Sequence, residues 1–272
     1  MERLQTALAS ARAKRGETTA ASSAPADRAG PAKTPLGTDD AGPDAAWAAL
    51  TPFVPKRKVL TKHLVVTSQA SDAATPFDIL RTKILLQMRQ NNWTRIAITS
   101  PMPQSGKTTM ACNLTLGMGR QQALRAMLFD MDLGEPSVHQ FFEHKPEHSL
   151  PAVLTGLTPF ADQAVRIGEN ISVAMTDQPE SDPTKIMLAN ETEQKLHEIE
   201  ERYKPDIMIF DLPSVLVGDN TRAFLKNVDC ALIIARANAT KYSQFDACER
   251  EVAEYTNVMG TILNAVPGRS NG

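Results

Sequence analysis

From about Trp47 onward, short and nearly continuous apolar runs alternate with stretches whose apolar residues recur every three or four positions. The runs His63 to Thr67, Arg95 to Thr99, Arg125 to Asp130, Ile171 to Ala174, Asp206 to Asp211, Cys230 to Ala235 and Thr261 to Leu263 predict strands. Phe77, Leu80, Ile84, Leu85 and Met88 predict one helix, and Met110, Leu114 and Met118 another. Strands that are apolar on both faces and separated by helices belong in a parallel sheet covered on both sides. The expected fold class is therefore α/β, a doubly wound and mostly parallel sheet.

The first 58 residues break this rhythm. Leu4, Ala7, Leu8 and Ala11 lie at helical spacing, and Lys14 and Arg15 sit where a helix dipole favours cations, so residues 1–15 are expected to form a short amphipathic helix. Residues 16–58 are rich in Ala, Pro, Gly, Ser, Thr and Asp. They predict a disordered linker, because ordering them costs entropy that little burial offsets. Residues 59–272 then form the folded domain.

Composition narrows the partners. With 29 Lys and Arg against 31 Asp and Glu, the chain has a formal charge of -2 and no basic stripe, which argues against nucleic acid as its main partner. No run approaches the roughly 20 apolar residues that span a bilayer, and the N-terminus lacks a signal-peptide core, so a cytoplasmic location is expected. Cys112, Cys230 and Cys248 form no C-x-x-C pair and are read as small buried apolar residues. His139, His144 and His148 have no cysteines or compact acidic set beside them and are read as solvated loop residues rather than metal ligands.

The chemistry concentrates at three strand ends. The run Ser100-Pro101-Met102-Pro103-Gln104-Ser105-Gly106-Lys107-Thr108-Thr109 follows one predicted strand and opens a predicted helix, the setting of a Walker A phosphate loop. Backbone N–H groups from Gln104 to Thr109 and the helix N-terminus would surround phosphate oxygens. Lys107 would add a full charge, and the Thr108 hydroxyl could ligate Mg²⁺. The first glycine of the general pattern is here Pro101. A second apolar strand ends in Asp130-Met131-Asp132, whose alternate carboxylates would repel each other unless a cation lay between them. A third, Ile207 to Phe210, ends in Asp211 and has the Walker B form. Together the three predict a P-loop NTPase that uses ATP and Mg²⁺, with the Thr108 hydroxyl and the carboxylates of Asp130, Asp132 and Asp211 around the metal.

In this combination the chain resembles the bacterial tyrosine kinases, or BY-kinases, of capsule and exopolysaccharide loci, which are relatives of the partition and septum-site ATPases. The resemblance runs from about Phe77 to Asn264. Asp130-Met131-Asp132 with Glu135-Pro136-Ser137 resembles the family's D-x-D-x-R-x-P-S element, Asp211-Leu212-Pro213 its D-x-P element, and Gly260 to Asn264 its late strand. The resemblance implies that Lys107 polarises the transferred phosphate, that Asp130 orients or deprotonates an acceptor hydroxyl, and that Asn264 contacts adenine. It also implies an inner-membrane polysaccharide chain-length regulator (copolymerase) as partner, a homo-oligomer, and a peripheral membrane location through that partner. Three departures stand out. Gly134 replaces the family's arginine, only Arg81 remains of the oligomerising E-x-x-R-x-x-R helix, and the C-terminal tyrosine cluster is absent. Autophosphorylation of the usual kind is therefore not expected, which leaves two alternatives: a kinase or ATPase, and a nucleotide-gated switch that phosphorylates no protein.

Overall fold

The structure is a computed structural model that describes residues 42–266, so the expected helix at 1–15, most of the expected linker and the last six residues lie outside it. The described chain builds an eight-stranded sheet in the order β1-β4-β5-β3-β6-β2-β7-β8. These strands are β1 (Thr51–Pro52), β2 (Arg95–Thr99), β3 (Ala126–Asp130), β4 (Val165–Ile167), β5 (Ile171–Ala174), β6 (Ile207–Asp211), β7 (Cys230–Arg236) and β8 (Asn257–Asn264). All neighbouring pairs are parallel except β4 with β5.

Side-chain alternation divides the apolar residues of the strands between two cores. Ile96, Ile98, Leu128, Ile209, Leu232 and Ile234 face one core. Ala97, Met127, Phe129, Met208, Phe210 and Ile233 face the other. Both faces of the central strands are buried, which is why they read as unbroken apolar runs. The doubly wound α/β expectation holds.

Three details differ from the sequence expectation. Residues 43–58 are not linker. Helix α1 (Pro43–Ala49) buries Trp47, whose Nε1–H donates to the Tyr203 carbonyl at 2.8 Å while the Arg125 guanidinium lies over its ring. One large aromatic anchor is enough to order a segment whose average composition is too small and polar to do so. His63 to Thr67 is no strand either. It follows helix α2 (Arg57–Lys62) as a turn, with Leu64 at φ 58°. Its backbone groups are satisfied by the buried Asn113, which donates to the Leu64 carbonyl and accepts from the Val66 N–H, both at 2.9 Å. A polar side chain from another helix thus replaces a ladder, which no local periodicity reveals. The third difference is two unforeseen short strands, β1 and β4, which extend one edge of the sheet.

Helix α3 (Thr75–Asn91) packs against α4 (Lys107–Gly119), the helix that opens at the predicted phosphate loop. Arg81 donates to the Gly117 carbonyl at 2.7 Å and to Asp78 at 3.0 Å, so it clamps the two helices together. The three cysteines are buried and free, as expected. The acidic helix α9 (Asn190–Tyr203) buries Leu196 and Ile199 against the sheet, and its Glu200 pairs with Arg95 at 2.7 Å. Among the described residues no helix is long and apolar enough to cross a membrane.

Trp47→Ala should lower unfolding stability by about 3–5 kcal/mol, the usual loss when a buried Trp is truncated. Urea denaturation checks this. A loss below about 1 kcal/mol would mean that residues 43–58 are not part of the domain core.

Candidate functional site

The sheet order brings the three predicted strand ends together. Strand β6 lies between β2 and β3, and the register pairs Asp211 with Asp130 on one side and with Ile98 on the other. The phosphate loop leaves β2 at Thr99, so the loop and both acidic strand ends occupy the same C-terminal edge, where ligands bind in open α/β sheets.

Loop 100–106 turns on two left-handed residues, Gln104 at φ 60° and Gly106 at φ 89°. A Cβ on Gly106 would also meet the Asn264 amide nitrogen, so this position requires glycine on both counts. Hydroxyls hold the base of the loop. Ser100 and Ser105 both donate to the Met102 carbonyl at 2.8 Å, and Ser100 lies 3.1 Å from the Ser214 hydroxyl. Behind the loop, Thr99 and Thr221 donate to the Pro213 carbonyl at 2.7 and 2.8 Å. Pro101, which replaces a glycine of the general pattern, is buried.

Helix α4 then starts at Lys107, whose Nζ reaches the Ser214 hydroxyl at 3.3 Å. The Thr108 hydroxyl lies 3.2 Å from that of Ser137, and the Thr109 carbonyl accepts from Asn113. Lys107, Thr108, Asp132, Glu135, Ser137 and Ser214 all line one cleft of about 630 Å³. Its size suits a drug-sized or nucleotide-sized ligand. Among the described residues lining it, Lys107 is the one cation.

The three acids differ in their surroundings. Asp211 is fully buried, and neither of its oxygens has a hydrogen-bond partner. Burial pushes its pKa up to about 7, against the pull of the Lys107 charge. Asp130 is also fully buried, and its carboxyl is pushed well above the ordinary range by burial and then by the charge of Asp211. Its Oδ2 accepts from the Ser137 and Val138 N–H groups at 3.1 and 2.9 Å, while Oδ1 has no partner. Asp132 is half-buried at the cleft wall, and its pKa is raised by burial and opposed by Lys107. Asp130 and Asp132 do not act as the alternating pair that a continued strand implies, because β3 ends at Asp130. Asp130 instead ties down the start of helix α5 (Val138–Phe142), and Asp132 alone lines the cleft.

The donors here suit Mg²⁺: hard oxygens from Thr108, Asp132 and Asp211, with buried carboxylate oxygens left without partners. Among the described residues no group of three His, Cys, Asp or Glu forms a metal cage. Mg²⁺ needs none, since it is commonly held by one or two carboxylates, water and phosphate oxygens. Of the histidines, His144 packs edge-on to Phe53 and is partly shielded rather than loose in solvent.

Gln104, Ser105, Gly106, Lys107, Thr108 and Thr109 all lie on the loop and the first turn of α4. Asn264, at the end of β8, donates its amide to the Ser105 carbonyl at 2.9 Å and so touches the loop itself. Ser137 belongs to the element that begins at Asp130, whereas Ser214 has no sequence signal beyond its place three residues after Asp211.

A carboxyl raised to about 7 binds a cation poorly while protonated. Mg²⁺ should therefore raise the melting temperature more at pH 8 than at pH 6. Without metal the sign for folding is opposite. Because the folded pKa of Asp211 exceeds the unfolded value of about 3.9, its contribution to stability is complete below that value and is lost as pH rises through about 7. Asp211→Asn should flatten both trends in a melting series from pH 5 to 8; an unchanged Mg²⁺ response in that variant would count against Asp211 as a metal-site residue.

No family model matches the chain. In sequence it is similar to tyrosine-protein kinase YwqD of Bacillus subtilis, 24% identical over 204 residues that cover 74% of this chain and 84% of that protein. It is also similar to CapB of Staphylococcus aureus, 20% identical over 215 residues, covering 78% and 92%. In fold it matches the kinase domain of Escherichia coli tyrosine kinase ETK with a TM-score of 0.70 at 22% identity, covering 82% of this chain and 91% of that one. The chain is thus similar in sequence to these bacterial tyrosine kinases and shares the P-loop NTPase fold of their kinase domain.

Proposed function

We propose that the chain binds ATP with Mg²⁺ and acts as a BY-kinase-like phosphotransferase or ATPase in exopolysaccharide or capsule biosynthesis and export. The observation that carries the nucleotide assignment is that Lys107, Thr108 and Asp132 line one cleft at the C-terminal edge of the sheet, where the adjoining strand β6 ends in the buried Asp211. The polysaccharide setting and an inner-membrane chain-length regulator as partner rest on the family resemblance, and the cytoplasmic location on the sequence reading that finds no bilayer-spanning run or signal-peptide core.

Phosphoryl transfer asks little covalent work of a protein, so the contribution of these residues is position and charge. Lys107 would neutralise the terminal phosphates, with Ser214 orienting its ammonium. Magnesium, held by Thr108 and Asp132 with Asp211 behind them, would draw charge from the phosphate oxygens. The role of facing an acceptor hydroxyl, first read for Asp130, falls to Asp132, since Asp130 is fully buried under α5. Asp130 would hold Ser137 against Thr108 and keep that wall of the cleft in place.

A second reading, a nucleotide-gated switch, is favoured by the tyrosines. The sequence has three. Tyr203 is buried, Tyr255 is half-exposed and Tyr242 projects into solvent from the start of helix α11 (Tyr242–Ala253).

The test is incubation with Mg²⁺ and γ-labelled ATP, alone and with the cytoplasmic segment of the membrane partner. Lys107→Ala should lower turnover at least about 100-fold, as loss of one electrostatic contact to the transition state does. Label on protein tyrosine that disappears in this variant supports the kinase, and phosphate release without protein label supports the switch. Absence of ATP binding in the wild type would contradict both.

A further inference from the structure

We propose that Arg236 is a positioning residue for the phosphate loop, acting with Asn264 to turn two successive peptide groups so that their N–H donors face the bound phosphates. This rests on the nucleotide assignment above and adds a residue that the three strand-end motifs do not contain.

Arg236 is the last residue of β7, next to β2 on the side away from the acidic strand ends. Both of its backbone groups are fixed in the following turn. Its N–H donates to the Thr240 hydroxyl at 2.8 Å, and its carbonyl accepts from the Thr240 and Ala239 N–H groups at 2.9 and 3.2 Å. From this anchored base, Nη1 crosses to the Gln104 carbonyl at 2.8 Å. Asn264, at the end of the adjoining strand β8, takes the next carbonyl, that of Ser105, at 2.9 Å.

In a trans peptide the carbonyl and the following N–H point in opposite directions. Holding the Gln104 and Ser105 carbonyls toward β7 and β8 therefore turns the Ser105 and Gly106 N–H groups the other way, toward the cleft. Among the described residues neither N–H has a protein partner, so both remain available to an anion. The restraint matters because Gln104 is a non-glycine residue in left-handed conformation, which the backbone does not adopt for free. It matters too because this loop opens on Pro101 rather than on the usual glycine. The guanidinium touches the loop's outer side and does not line the cleft, so it acts through the backbone and not on the phosphates directly.

Calorimetric titration of the whole chain with ATP and with inorganic tripolyphosphate, both with Mg²⁺, tests this. Tripolyphosphate lacks base and ribose, so it reports on the loop alone. Arg236→Ala should weaken both ligands by the same factor, about five- to tenfold, as expected for one charge-assisted hydrogen bond moderated by exposure. Arg236→Lys, with a single donor in reach, should recover part of the loss, and both variants should melt close to the wild type. Weakening of ATP with unchanged tripolyphosphate would place Arg236 on the base or ribose and overturn the proposal. Unchanged binding of both ligands would overturn it as well. A wild type that binds neither ligand would remove the nucleotide assignment, and this inference with it.

Discussion

Asp130 and Asp211 are register partners on adjoining strands, both fully buried, with three of their four carboxylate oxygens lacking a hydrogen-bond partner. Two such groups cannot both be ionised side by side in a low-dielectric interior without a large penalty. The protein relieves it partly with the two α5 amides on Asp130 and partly with the Lys107 charge near Asp211. The rest is left to whatever enters the cleft. Under the proposed function, a divalent cation with a polyphosphate would complete this charge arrangement.

The surrounding fold serves to hold that edge of the sheet. Helix α4, which carries Lys107 and Thr108, is buried along most of its length between the sheet and α3. Asn113 on one side ties it to residues 64–67, and Arg81 ties its C-terminal end to α3. The use of Arg81 is instructive, because it is the remaining basic residue of a helix pattern associated with oligomerisation in the family. Here it lies inward, paired with Asp78 and the Gly117 carbonyl, and is already engaged within one chain.

Much of this was legible from sequence because it depends on local patterns. Apolar strands buried on both faces, a strand-loop-helix around Gly106-Lys107-Thr108 and acids closing apolar runs are signals carried by neighbouring residues, and each appears where its run predicts. What was missed depends on long-range contacts. His63 to Thr67 has β-branched composition, yet its backbone is satisfied by Asn113, some fifty positions away, so composition alone suggested a strand. Residues 43–58 look like linker until Trp47 meets Tyr203, 156 residues on. Asp130 and Asp132 alternate in sequence, but the strand ends between them and they take different tasks. Arg236 stands at a strand end like many others, and only the sheet order shows that it adjoins the phosphate loop.

The central claim is that Thr108, Asp132 and Asp211 form the metal side of a nucleotide cleft whose other wall is the phosphate loop. The most direct measurement is a crystal structure with a non-hydrolysable ATP analogue and Mn²⁺, located by its anomalous scattering. The account requires a manganese peak bonded to the Thr108 hydroxyl and to phosphate oxygens, with Asp132 and Asp211 bonded to it directly or through its water, and with the Lys107 ammonium on the terminal phosphates. Manganese remote from Thr108, or an analogue bound away from the Gly106 loop, would contradict it.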